Sequence, residues 1–249
     1  MKKIFARIVL FLSIAVFLAC IAYFVNDYIQ KKKIDDLGDN FSVSSTQSQD
    51  KSQQKVDVPV DFAALKRINK DIYAWVNIPN TPVDYPVLQN KKNGYYLNRD
   101  IEKKWSVYGS IYTEDYNNKD FNDFNTLLYG HNMKNGTMFG SLKKFRDASF
   151  FEENRYINVY MENRILKYEI FAACTWDNKH ILANRNFALA ENRTSYLEEI
   201  FSVRDMNSQV AKDISVSADD RIITLSTCMN NDEKRFIVSG VLVYDSQNP

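Results

Sequence analysis

Cysteine is scarce in this chain, with three residues in 249, and none are spaced as Cys-x-x-Cys. That rules out a disulfide-built scaffold and makes a structural zinc site a poor explanation. Histidine is scarcer still, with two residues, too few for a His-rich metal centre, and no cofactor or metal is expected. Glycine (7) and proline (5) are low, which excludes collagen-like and Gly/Pro low-complexity chains. A glycine-rich P-loop ending in Gly-Lys-Ser/Thr does not occur. No charge of one sign dominates: 32 basic against 31 acidic residues leave a formal net charge of +1. Nucleic-acid binding needs a basic excess or stripe, so no nucleic-acid partner is expected. What remains is an ordinary globular composition, 45% apolar and 25% charged.

One long apolar run does occur, at the N-terminus. Lys2, Lys3 and Arg7 precede Ile8–Val25, 18 uncharged residues whose single polar member is Ser13. As a helix this run covers roughly 27 Å, close to a bilayer core of about 30 Å. A cleaved signal peptide has a shorter apolar core, about 7–15 residues, ending at a small-x-small site. Here the run continues past Cys20-Ile21-Ala22. A lipidation box around Cys20 is a second alternative, but the residues after Cys20 are apolar where a mature lipoprotein is polar. An uncleaved membrane anchor is therefore the expectation. Lys31, Lys32 and Lys33 follow the span and read as interfacial anchors. They nearly balance the basic residues before it, so charge alone does not orient the helix.

Residues 34–58 are rich in Ser, Gln and Asp and sparse in large apolar residues. Such a segment buries too little surface to offset its ordering entropy and reads as a flexible polar stalk. The expected organisation is 1–33 as N-terminal stub and anchor, 34–58 as stalk, and 59–249 as one folded domain. That domain has 191 residues, a common size.

Within the domain, Asp61 is placed to N-cap a helix over 62–72, with Phe62, Leu65, Ile68 and Ile72 on one face. Runs of β-branched and aromatic residues predict strands over 73–78, 83–88, 109–113 and 126–129. Short helical pieces are predicted over 138–145 and 149–154, and a hairpin from 156–161 and 164–175 around Glu162-Asn163. An amphipathic helix follows over 194–203, then strands over 221–227 and 235–244. Many short strands with helices in the connections predict a mixed, mainly β (α+β) fold with a closed or nearly closed barrel.

Two strand ends carry chemistry. One is Thr224-Leu225-Ser226-Thr227-Cys228, and the other is Leu128-Tyr129-Gly130-His131-Asn132. A thiol gains nucleophilicity from a neighbouring imidazole, and strand ends can meet at one sheet rim. Arg235, opening the following strand, is suited to hold an oxyanion or a carbonyl, because a guanidinium stays charged and does not shuttle protons. Cys174 and Cys20 read as buried or membrane-embedded thiols. A Cys174–Cys228 disulfide is the competing reading of the same residues in an oxidising compartment.

The Thr224–Cys228 segment with an Arg opening the next strand resembles the active-site signature of sortases, membrane-anchored cysteine transpeptidases of Gram-positive bacteria. Trp75–Gln89, Asn93–Leu97, Gly109–Tyr112 and Leu128–Met133 narrow the similarity to class B, in the expected order over residues 58–245. The resemblance implies an eight-stranded sortase-type β-barrel with an N-terminal helical extension, preceded by one transmembrane helix. It implies Cys228, His131 and Arg235 as catalytic residues, with Asn93, Leu97 and Ser226 lining the substrate groove. The implied substrate is a secreted protein with a C-terminal sorting signal, cleaved after Thr through a Cys thioester. The implied acceptor is an amine of a peptidoglycan precursor or a pilin. An external substrate also orients the anchor, with the N-terminus cytoplasmic and the domain outside the cell. The chain departs from the class pattern at Met229, where some members carry an acidic residue, and in the short 229–234 connection. Asp177–Glu191, which includes His180, matches no class feature. Two other functions fit parts of the sequence: a cell-envelope cysteine peptidase using water as acceptor, and a non-enzymatic surface domain tethered to the membrane.

Overall fold

The computed structural model describes residues 2–41, 56–228 and 234–248. The N-terminal unit is one helix, α1 (Lys2–Phe41). Its apolar residues, among them Phe5, Phe11, Phe17 and Phe24, are exposed all round, and none of its apolar window is buried by protein. A helix apolar on every side, uncovered, and longer than about 20 residues has the length and composition to cross a membrane. Ser13, the one polar residue in the run, returns its hydroxyl to the Leu10 carbonyl at 2.8 Å, which satisfies it inside the helix. The helix continues through the first eight residues of the expected stalk, to Phe41, with Lys31 and Asp35 paired at 3.9 Å along it. Residues 42–55 of that stalk lie outside the described residues.

The second unit is an eight-stranded closed β-barrel with helices in its connections. Its strands are β1 (Ile72–Asn77), β2 (Asp84–Gln89), β3 (Ile111–Thr113), β4 (Asn125–Tyr129), β5 (Tyr156–Met161), β6 (Arg164–Asp177), β7 (Gln209–Val210), β8 (Ile222–Cys228) and β9 (Lys234–Asp245). Hydrogen bonding runs β5-β1-β2-β3-β4-β8-β9-β6, and β5 pairs with β6 to close the ring. The two-residue β7 adds to the outside of β6. All neighbours are antiparallel except β2–β3 and β4–β8. Closure leaves no open edge among these eight strands. At the far end of β6, Arg164 holds Asp245 of β9 at 2.9 and 2.6 Å, and Arg221 adds a contact at 3.1 Å. The paired guanidinium keeps the Asp245 carboxyl well below its usual range, against the effect of burial.

Four helical pieces decorate the barrel: α2 (Phe62–Ile68), a 3₁₀ turn over Tyr95–Asn98, a second 3₁₀ segment (Gly140–Arg146) that runs into α3 (Ala148–Glu153), and α4 (Ala190–Phe201). Asp61 caps α2 as expected, accepting the Ala64 amide at 2.8 Å. The helix stops at Ile68 rather than at residue 72, however. Asn69 is extended, its side-chain amide bonds the Tyr96 hydroxyl and the Ile101 carbonyl, and Ile72 is drawn fully buried into β1. The segment expected to be helical from 138 is 3₁₀ from Gly140. The amphipathic helix begins four residues before the expected 194, and buries Tyr196, Leu197 and Ile200.

Candidate functional site

The site is assembled by register. In the parallel β4–β8 pair, Tyr129 lies opposite Ser226. The Gly130 amide donates to the Ser226 carbonyl at 3.2 Å, which carries the ladder one bond past β4. Two residues beyond that pair stand His131 on one chain segment and Cys228 on the other. Cys228 pairs with Arg235 across the antiparallel β8–β9 ladder, and Arg235 with Trp176 of β6. Positions 228, 235 and 176 therefore form one rung at the rim of the barrel, and His131 follows two residues after the last registered pair of β4 with β8. Three strand ends, far apart in sequence, meet there because neighbouring strands lie about 4.8 Å apart. For Cys228 this statement is one of backbone only; its side chain and residues 229–233, Met229 included, lie outside the described residues.

His131 is half-buried, and its Nε2 lies 2.6 Å from the Leu97 carbonyl oxygen. A carbonyl only accepts, so Nε2 carries the hydrogen. The loop after His131 is closed on itself by the Phe139 amide donating to the His131 carbonyl at 3.0 Å and by an Asn132–Met138 bridge. The Tyr85 hydroxyl accepts the Met138 amide at 3.0 Å and ties the loop to β2.

Ser226 is buried and lines a cleft floored by Leu127, Tyr129 and Arg235 and walled by residues 177–181. Burial, then the nearby Glu114, raise the Tyr129 hydroxyl far above its usual range, and the positive charge of Arg235 opposes them. Leu97 presents a 42% exposed side chain at the same rim. Asn93 is exposed, and its Oδ1 accepts the Asp115 amide at 3.0 Å, fastening the turn before Tyr95 to the segment after β3.

His180 stands in the cleft wall, on the β6–α4 connection. Its Nδ1 accepts the Ala183 amide at 3.0 Å, so in the neutral ring the hydrogen is on Nε2. Nε2 is bonded to the Glu114 carboxylate, and the Tyr129 hydroxyl lies 3.2 Å away. Tyr116 packs on the ring at 5.0 Å between centroids. Glu114, Tyr129 and the Leu97 carbonyl were not among the expected site residues. A backbone carbonyl carries no residue-type signal, and Glu114 joins the cleft wall through its bond to His180.

Cys174 is a free thiol, fully buried. It lies on β6 opposite Ile237, with β9 between it and β8. Two strand spacings are roughly 9–10 Å, beyond disulfide reach, so the alternative of a Cys174–Cys228 disulfide is corrected.

A family model of the sortase domain matches residues 76–243. Sortase B of Listeria monocytogenes is 34% identical over 182 residues, covering 72% of this chain and 72% of the relative. Sortase B of Staphylococcus aureus is 33% identical over 197 residues, covering 77% and 78%. The crystal structure of sortase B from B. anthracis in complex with AAEK1 superposes with a TM-score of 0.74 at 32% identity, covering 88% of this chain and 99% of that one.

Proposed function

The chain belongs to the sortase family, as a cysteine transpeptidase of class B, and from that premise we propose that Cys228, His131 and Arg235 cleave a C-terminal sorting signal after Thr and transfer the protein to a cell-wall amine. The Cys228 thiolate attacks the Thr carbonyl. The C–N bond of the scissile peptide breaks, His131 gives the leaving amine its proton, and a thioester remains on Cys228. An incoming amine, from a peptidoglycan precursor or a pilin, then attacks the thioester and yields a proton to His131. A new C–N bond replaces the C–S bond, and the thiolate is regenerated. Arg235 donates hydrogen bonds to the Thr carbonyl oxygen and to the oxyanion it becomes. Asn93, Leu97 and Ser226 line the groove that receives the signal.

The observation that supports this reading best is the strand order β4-β8-β9, which pairs position 228 with 235 and starts the His131 segment directly after the last β4–β8 bond. It is tested by incubating the detergent-solubilised chain with a library of sorting peptides, with and without oligoglycine or diaminopimelate-type amines, and reading products by mass spectrometry. Amine-dependent ligation products support it. Free acid alone, whatever the amine concentration, would mean a hydrolytic peptidase, and no turnover a tethered surface domain.

Arg235→Lys separates two roles for the guanidinium. Its five donors form a rigid fork, whereas Lys keeps the charge and loses the fork. Turnover is expected to fall by about 10²-fold, the scale of one lost oxyanion donor. The adjacent Lys234→Ala, which removes an exposed charge, is expected to stay near wild type. Near-normal turnover of Arg235→Lys would remove Arg235 from the catalytic set.

The organisation that suits this activity is a cytoplasmic stub and anchor over 1–33, a stalk over 34–58 and an external catalytic domain over 59–249. An uncleaved α1 would hold the enzyme where secreted substrates emerge. Protease added to intact protoplasts is expected to digest the domain while Met1 to about Ile29 stays on the mature protein. Protection of the domain, or a mature N-terminus beginning after Ala22, would overturn this topology.

A further inference from the structure

A histidine that both gives and takes a proton needs its ring held in one tautomer, and a carboxylate or amide side chain commonly does this. Among the described residues the hydrogen-bond partner of His131 is instead the Leu97 backbone carbonyl, at 2.6 Å. That carbonyl sits in a short 3₁₀ turn, Tyr95–Asn98, which is fixed from two sides. On one side the buried Tyr96 donates its hydroxyl to Asp71 at 2.6 Å and accepts the Asn69 amide at 2.8 Å. Asp71 is itself held by Asn90 at 3.0 Å and Lys103 at 3.1 Å. On the other side lies Gly109, at φ 59°. A Cβ there would stand 2.3 Å from the Leu97 oxygen and 2.8 Å from the Tyr96 oxygen. The Ser110 amide donates to that same Tyr96 oxygen at 3.0 Å.

We propose that the Leu97 carbonyl, seated between the Tyr96–Asp71 anchor and Gly109, is a positioning group that fixes the His131 imidazole as its Nε2–H tautomer and leaves Nδ1 to exchange protons with the reacting atoms. Gly109 and Tyr96 are then positioning residues that act through Leu97. The inference rests on His131 as the general acid and base.

Gly109→Ala tests it, with Gly94→Ala as control. Gly94 has the same left-handed backbone, φ 69°, but an added Cβ there meets nothing within 4 Å. Both variants carry the backbone strain, while only Gly109→Ala pushes on the Leu97 oxygen. Tyr96→Phe, which removes only the hydroxyl, serves if Gly109→Ala fails to fold. The readouts, on the detergent-solubilised full chain, are kcat and KM with a sorting peptide and the ¹⁵N shifts of the two histidines, assigned with His180→Gln. Wild-type His131 is expected as the Nε2–H tautomer. Gly109→Ala, or Tyr96→Phe in its place, is expected to lose roughly tenfold or more in kcat, the range of a sub-ångström misplacement, with KM within about twofold. Its His131 shifts should move toward a tautomer mixture, and Gly94→Ala should change neither readout. A wild-type Nδ1–H tautomer, wild-type shifts and kcat in both Gly109→Ala and Tyr96→Phe, or equal losses in Gly94→Ala would overturn the proposal. If the wild-type chain formed no peptide product, the functional reading would fail, and the ¹⁵N shifts would still decide the tautomer.

Discussion

Cys228→Ala is expected to reduce transpeptidation to below detection while leaving the fold and Tm unchanged. In the proposed mechanism the nucleophile is the Cys228 thiolate, and neither Arg235 nor Trp176, its rung neighbours, offers an atom that can form the acyl intermediate. In that proposed mechanism His131 and Arg235 stabilise charge and move protons, so removing Cys228 leaves them without a reaction to assist. The variant should still bind a sorting peptide, and the mixture should contain no thioester adduct by mass spectrometry. Alkylation supplies an internal comparison, because Cys174 lies in the same sheet. Burial pushes the Cys174 thiol up to about 12, with Asp205 adding to the shift, and no solvent reaches it. A thiol that is neither ionised nor accessible reacts slowly. In the native domain a thiol alkylator should therefore modify Cys228 far faster than Cys174, and the labelled protein should be inactive. Equal labelling rates, or activity surviving in Cys228→Ala, would remove Cys228 as the nucleophile.

Much of the barrel was legible because its strands are short, rich in β-branched and aromatic residues, and separated by turn residues. The β5–β6 hairpin around Glu162-Asn163 and the strands ending at Tyr129 and Cys228 stand close to where the pattern predicts them. The boundaries that moved did so for tertiary reasons. Ile72 fits the helical period of Phe62, Leu65 and Ile68 but pairs with Leu88 in the sheet, and Asn69 leaves the helix to bond Tyr96. The polar alternation in β8 is hard to read because Thr224 and Ser226 are buried although they are polar. Thr224 bonds Ser239 on β9 at 3.1 Å, and Ser226 floors the cleft. Polar residues at buried positions weaken the period-2 signal that marks a strand with one solvated face. The candidate site was legible as residue types, a Cys, a His and an Arg at strand ends. Its order across the sheet was not, since the parallel pairing of β4 with β8 spans almost a hundred residues of chain. The Leu97 carbonyl and the two occupied nitrogens of His180 were beyond any sequence pattern, because a backbone acceptor can belong to any residue type.

That difference between the two histidines carries the second large effect. His131→Ala is expected to lower turnover by about 10²–10⁴-fold, the scale for losing a general acid and base. His180→Ala is expected to cost far less, and the reason lies in hydrogen bonding rather than distance alone. In the neutral His180 ring, Nδ1 is committed to the Ala183 amide and the Nε2 hydrogen to Glu114, so no lone pair is left to take a proton from a reacting group. His131 commits only Nε2, to Leu97. Its Nδ1 has no hydrogen-bond partner among the described residues, which is the condition a proton carrier needs. Removing His180 takes away a strut between the cleft wall and Glu114, so its loss should appear mainly in KM, through a looser 177–181 wall. Removing His131 should appear in kcat, in acylation and in transfer to the amine alike, because in the proposed mechanism the same imidazole serves both half-reactions. Single-turnover measurement of thioester formation and of its aminolysis, in each variant, distinguishes these outcomes. Equal losses in the two variants, or a His131→Ala defect confined to KM, would mean that the ring at position 131 does not carry the proton.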